Sequence, residues 1–162
     1  MEDLVPEGKL DVSKVLYMIS NYSKFPRLND LKFQVYVDRI KVHLMGSDIV
    51  GGPKLLEMLK AIDLVPTFAH GDLSTRNIIQ TASGPQLIDP LYSKDTFGHY
   101  LLDIAKLIFS LKFYENDALQ ADKVQKLVKF DLMDTLVASE AVRVATYNKR
   151  FNFIAENLIN EL

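Results

Sequence analysis

Cysteine is absent from the sequence, which excludes a disulfide framework and a thiolate zinc site and agrees with a reducing compartment. An excess of one charge is missing too: the formal net charge is −2 and the pI about 5.9, so there is no basic footprint for nucleic acid. No apolar run approaches the roughly 18 residues that a membrane-spanning helix needs. The stretch from Met1 to Gly8 is acidic and has no long apolar core, which speaks against a signal peptide. Internal repeats and low-complexity segments are absent as well. These absences lead to the expectation of a cytoplasmic protein with no nucleic-acid partner and no membrane partner. What is present is ordinary for a globular domain: 48% hydrophobic and 25% charged residues over 162 positions, enough for one domain with a substantial core.

Hydrophobic spacing reads as helices on both sides of one short extended region. Asp11 or Ser13 is placed to cap a helix carrying Val15, Leu16, Met18 and Ile19, which stops near Phe25-Pro26-Arg27. Asn29 is placed to cap a denser segment from Leu31 to Leu44, whose β-branched content keeps a strand as the minority reading. The connection from Gly46 to Gly52 has neither the Lys-Ser/Thr of a Walker A motif nor the glycine spacing of a kinase loop, and reads as an interhelical loop. Leu55, Leu56, Met58, Leu59 and Ile62 then form an amphipathic face. Beyond the extended region, Ser93 or Thr96 opens a long helix that is apolar almost all round from Leu101 to Leu111, and further helices follow over 118–130, 132–144 and 146–162.

One stretch carries chemistry. His70-Gly71-Asp72-Leu73-Ser74-Thr75-Arg76-Asn77 sets a histidine, a carboxylate and an amide in a short loop ahead of Ile78-Ile79. A turn at Ser83-Gly84-Pro85 returns the chain as Leu87-Ile88 and delivers Asp89 at the end of a second apolar run. Two carboxylates and an amide oxygen in one small region are hard ligands suited to Mg²⁺. Singly, His70 or Asp72 reads as an ordinary loop residue and Asp89 before Pro90 as a turn starter; jointly, their order and spacing with flanking strands form a pattern.

That pattern resembles the catalytic segment of the aminoglycoside phosphotransferase and choline kinase-like group, distant relatives of protein kinases. The resemblance implies that Asp72 is the base, that Asn77 and Asp89 bind magnesium, and that His70 supports the loop. Leu102-Asp103-Ile104-Ala105 is similar to the family's Asp-x-Ala helix, which implies that Asp103 braces the catalytic loop. A carboxylate on so apolar a helix is costly unless paired or hydrogen-bonded, which points the same way. The chain departs from the family at Ser74, where His or Lys is common, and at Pro90, where Phe or Trp is common. The fold implied is mainly helical α+β, the carboxy-terminal lobe of a protein-kinase-like fold, with a small β-hairpin at the catalytic loop. It is a single domain over 1–162, with leading helices in 1–66, catalytic loop and metal hairpin in 67–92, and a helical bundle in 93–162.

A whole enzyme of that group also has an amino-terminal lobe, a twisted sheet with a phosphate-covering loop and a strand lysine. Only 69 residues precede His70, they read mostly as helices, and Lys9, Lys14, Lys24, Lys32 and Lys41 all have helix or loop surroundings. The expectation is that the nucleotide lobe is absent from this sequence and that the residues binding ATP lie elsewhere. Two functions follow: ATP-dependent, Mg²⁺-dependent phosphoryl transfer to a hydroxyl of a sugar, amino sugar or amino alcohol with a separate nucleotide-binding lobe, or a non-catalytic binding or scaffold protein derived from a truncated kinase. Self-association or a partner protein would cover the exposed cleft face. Glu115, Asp117 and Asp122 would receive a cationic acceptor or form a solvated rim; His99 reads as a surface histidine of the helix start rather than a site-edge group, and Arg143, Lys149 and Arg150 as a solvated face rather than a grip on a substrate phosphate.

Overall fold

The structure, a computed structural model, describes residues 9–27, 29–91 and 93–162. The acidic stretch from Met1 to Gly8 lies outside the described residues. Among those described, seven α-helices and one antiparallel two-stranded hairpin make a mainly helical α+β fold. Helix α1, Val12–Ser20, starts where the Asp11 carboxylate accepts the Lys14 N–H at 3.2 Å, and it buries Val12, Val15 and Ile19 along one stripe.

Helix α2, Gln34–Met45, settles the ambiguous segment as helix, but Asn29 does not cap it. The Asn29 side chain accepts from the Leu31 N–H at 3.1 Å and donates to the Thr96 carbonyl at 2.9 Å, so a residue with the look of a local cap serves a long-range tie. Helix α3, Gly52–Lys60, follows an interhelical connection as expected. The hairpin pairs β1, Ile78–Thr81, with β2, Gly84–Leu87, in a register that sets Ile78 opposite Leu87 and Thr81 opposite Gly84. The turn is therefore Ala82-Ser83, and Gly84 and Pro85 belong to the second strand. The Thr81 hydroxyl closes it by donating to the Gly84 carbonyl at 2.7 Å.

The second half is a helical bundle. Helix α4, Tyr100–Phe113, starts later than Ser93 or Thr96 would place it, because the His99 ring, not a hydroxyl, caps its first turn by accepting the Leu101 N–H at 3.0 Å. Helix α5, Ala118–Val128, ends on Lys129 in the left-handed region. Helix α6, Met133–Tyr147, runs through Thr146, and the break falls at Asn148, whose side chain accepts the Arg150 N–H at the turn that leads into α7, Asn152–Glu161. Helix α4 packs on α5 and α6, α6 packs on α2, α3 and α7, and α1 reaches both α5 and β2. No helix of the described residues is long and apolar enough to cross a membrane.

The two central helices also bury polar groups. Asp103, Lys106 and Ser110 of α4 stand at i, i+3 and i+7 and are all buried, as are Ser139 and Glu140 of α6. Buried polar groups of this kind require partners. Ser139 pairs with the Tyr36 hydroxyl and Glu140 with Arg143, whereas Asp103, Lys106 and Ser110 find their partners in the loop that starts at His70.

Candidate active site

The loop of residues 70–77 is fastened to the polar stripe of α4 through its backbone. Asp103, 3% exposed, accepts the His70 N–H on Oδ2 at 2.6 Å and the Gly71 N–H on Oδ1 at 2.9 Å. Burial pushes the Asp103 carboxyl up to about 7, against the two backbone donors and the Lys106 charge, which lower it. Further along, Ser110 Oγ accepts the Thr75 N–H at 3.0 Å. Gly71 has no substitute here: its φ is 84°, and a Cβ would stand 2.2 Å from the Leu91 carbonyl oxygen. That closeness exists because the Leu91 N–H donates to the His70 carbonyl at 2.8 Å, strapping the loop to the segment just beyond Asp89.

His70 works inside the loop. Its Nδ1 accepts the Asp72 N–H at 3.2 Å while Nε2 lies 2.8 Å from the Ile88 carbonyl, a pairing that requires a neutral ring with the proton on Nε2. Desolvation lowers its pKa and keeps it in that state. Asn77 then joins the two halves of the site. Its Nδ2 donates to the Asp72 carbonyl at 2.7 Å and to Asp72 Oδ2 at 2.9 Å, and its backbone carbonyl accepts the Ile88 N–H at 2.9 Å. Both side-chain partners are acceptors, so the amide nitrogen must face Asp72 and Oδ1 is left turned away from it.

Asp89 follows Ile88 directly, so the two bonds to Ile88 set its place relative to His70 and Asn77. It is exposed, its φ is 51°, and its carboxylate has no hydrogen bond or ion pair among the described residues. No family model matches the chain, and no match is found among curated proteins or solved structures. The chemistry of the site is therefore argued from its geometry.

Asp72 Oδ1 is not free. Lys106 Nζ donates to it at 2.8 Å and to the Gly71 carbonyl at 3.2 Å, and lies 3.9 Å from Glu140 Oε1. Arg143 grips the same Glu140 through Nε at 3.1 and 3.0 Å and through Nη2 at 2.6 Å. Burial alone would raise the Asp72 carboxyl, but Lys106 and the Asn77 amide outweigh it and hold the group below the usual carboxylate range. Lys106, Glu140 and Arg143 were not singled out as site residues from sequence. The signal for Lys106 lies three residues after Asp103, on the same face of an apolar helix; that for Glu140 and Arg143 is an acid and a base three residues apart in the apolar stretch of α6.

Several expectations are corrected by position. His99 is no surface residue: it is 6% exposed, stacks on Tyr100 at 4.7 Å, and burial lowers its pKa to about 4. Arg143 parts company with Lys149 and Arg150, which are exposed, because the run of α6 turns it inward onto Glu140. Glu115 accepts the Thr75 hydroxyl at 2.7 Å and Asp117 caps α5, so both serve the chain itself, while Asp122 lines a separate cavity at α5, α6 and α7. The oxygens left for a metal are those of Asp89, Asn77 Oδ1 and the outer side of Asp72, an oxygen-only donor set that suits Mg²⁺. Among the described residues no three His, Asp or Glu side chains cluster closely enough to hold a metal, so such a site depends on the Asn77 amide and on ligand oxygens.

Proposed function

We propose that this domain is the catalytic-loop half of a phosphotransferase of the aminoglycoside phosphotransferase and choline kinase-like kind, transferring the γ-phosphoryl group of ATP to a hydroxyl of a small molecule in the cytoplasm. The observation that carries the reading is the Asp72–Asn77 contact in a loop braced by Asp103, because it leaves a base and a metal-ligand oxygen side by side. Asp72 accepts the hydroxyl hydrogen of the acceptor. As the new O–P bond forms and the bond to the leaving ADP breaks, the proton passes to Asp72. Lys106 and Asn77 hold that carboxylate in one orientation, and the neutral His70 ring holds the backbone beneath it. Asn77 Oδ1 and Asp89 would hold Mg²⁺, which would supply positive charge against the phosphate oxygens.

The described residues of 9–69 form helices and no strand, so the adenine pocket and the direct phosphate clamp belong to residues other than those described. The same observation favours a second reading, a non-catalytic binding or scaffold domain on a kinase-like core. Binding separates the two. Mn²⁺ in place of Mg²⁺, followed by water-proton relaxation on the purified chain, is expected to bind and to lose binding in Asp89→Ala and Asn77→Leu; calorimetry with Mg-ATP is expected to give weak binding at most. Mn²⁺ affinity indifferent to both substitutions would sink the phosphotransferase reading.

A further inference from the structure

Asp72 opens on a cavity of about 220 Å³ between the loop, α4 and α6, and the charges in it select for an acceptor. Three cations line it, Arg76, Lys106 and Arg143, against two carboxylates, Asp72 and Glu140. Both carboxylates are already paired: Asp72 with Lys106 at 2.8 Å, and Glu140 with Arg143 at 2.6 Å. Arg76 is the unbalanced charge. It has no carboxylate partner among the described residues, and its guanidinium lies 5.1 Å from the centre of the Tyr114 ring. Arg143 uses Nε and Nη2 on Glu140, and Nη1 is left without an acceptor among the described residues.

We infer that the acceptor is anionic, a small hydroxylated compound carrying a carboxylate or a phosphate monoester, with its hydroxyl on Asp72 and its anionic group on Arg76 and Arg143; this rests on the phosphotransferase reading above. Two features exclude the cationic amino sugar or amino alcohol that the sequence resemblance brings with it. A cation entering the cavity meets only carboxylates that already have a cationic partner, Asp72 with Lys106 and Glu140 with Arg143, while Glu115 and Asp117 are committed outside it. Nor does it meet an open aromatic face, because the Arg76 guanidinium already lies over Tyr114. An anion, by contrast, finds the guanidinium fork of Arg76 on one side, the geometry that suits carboxylate and phosphate, and Arg143 Nη1 on the other.

Calorimetric titration of the purified chain tests this with four probes of similar size: glycerol 3-phosphate, glycerate, glycerol and choline. One or both anions should bind, and whichever binds names the anionic group. Glycerol should bind far more weakly and choline not at all. Arg76→Gln, on an exposed residue outside the fold's core, should weaken the bound anion about tenfold, the loss expected for one hydrogen-bonded charge pair. Choline binding as tightly as either anion, an Arg76→Gln chain with unchanged anion affinity, or inorganic phosphate binding as tightly as glycerol 3-phosphate would each overturn the inference. The Mn²⁺ measurement is independent: no Mn²⁺ binding by the unmodified chain, or an affinity indifferent to Asp89→Ala and Asn77→Leu, with anion binding intact fails the phosphotransferase reading alone, whereas Mn²⁺ binding that both substitutions abolish, without anion binding, fails this one alone.

Discussion

The two sides of the loop handle a carboxylate in opposite ways. On the inner side Asp103 is buried on α4, with both oxygens bonded to backbone N–H groups and Lys106 close by. On the outer side Asp89 is exposed, sits at a φ of 51° and has no protein partner among the described residues. The first carboxylate completes the fold. The second is held in a backbone conformation that a non-glycine residue adopts at some cost, with its charge left unpaired, as expected of a group positioned for something outside the chain. The contrast between the two carboxylates can be tested.

The largest effect should come from Asp103→Ala. It leaves two buried N–H groups without an acceptor, and loss of one partner of a buried charged contact costs about 3–5 kcal/mol, or roughly 10 °C in Tm for a domain of this size. Thermal unfolding followed by circular dichroism checks this, and an unchanged Tm would erase the contrast with Asp89.

A second measurement sharpens the inner side by pH. Burial holds His99 neutral down to about 4, whereas the ring in the unfolded chain has the ordinary value of 6.5. Between those values the unfolded state binds a proton that the folded state refuses. The His99 contribution is therefore fully present above 6.5 and is lost as pH falls toward 4, by up to about 3 kcal/mol. His99→Asn keeps a capping acceptor and removes the titration, so its cost relative to the unmodified protein should shrink by that amount on acidification. Asp103, raised to about 7, contributes the opposite slope, but it is common to both proteins and cancels in the difference. Urea unfolding at several pH values reads the result directly; a pH-independent cost would mean that the ring is not held neutral.

The smallest effect is expected on the outer side. Asp89→Gly removes the only charged group of that residue and relieves the left-handed conformation, so stability should stay level or rise by up to about 1 kcal/mol. A loss of more than about 2 kcal/mol, the scale of a buried polar contact, would show that Asp89 supports the fold after all.

Much of this was legible in the chain. Periodicity located the helices, because the interior is built from continuous apolar stripes such as Val12, Val15 and Ile19, but it started α4 and α7 several residues early. Asp103 was legible for the complementary reason, as a lone acid among apolar neighbours. Asn29 is illegible locally because its partner, the Thr96 carbonyl, is distant in sequence. His99 and Arg143 have partners close in the chain, Phe97 and Tyr100 for the ring and Glu140 one helical turn back, and what local spacing does not show is how far the packed elements cover them.

By itself the sequence determined which segments are helical, where the hairpin lies and which loop gathers His70, Asp72 and Asn77, since backbone hydrogen bonding and apolar spacing act over a few residues at a time. The tertiary structure alone decided the charge state and surroundings of those residues. Packing α6 against α4 brings Glu140 and Arg143 to Lys106, and Lys106 to Asp72, across more than thirty positions of chain. Electrostatic interactions depend on distance and burial in space, not on separation along the chain, so the sign of the cavity could not be read until the helices were in place.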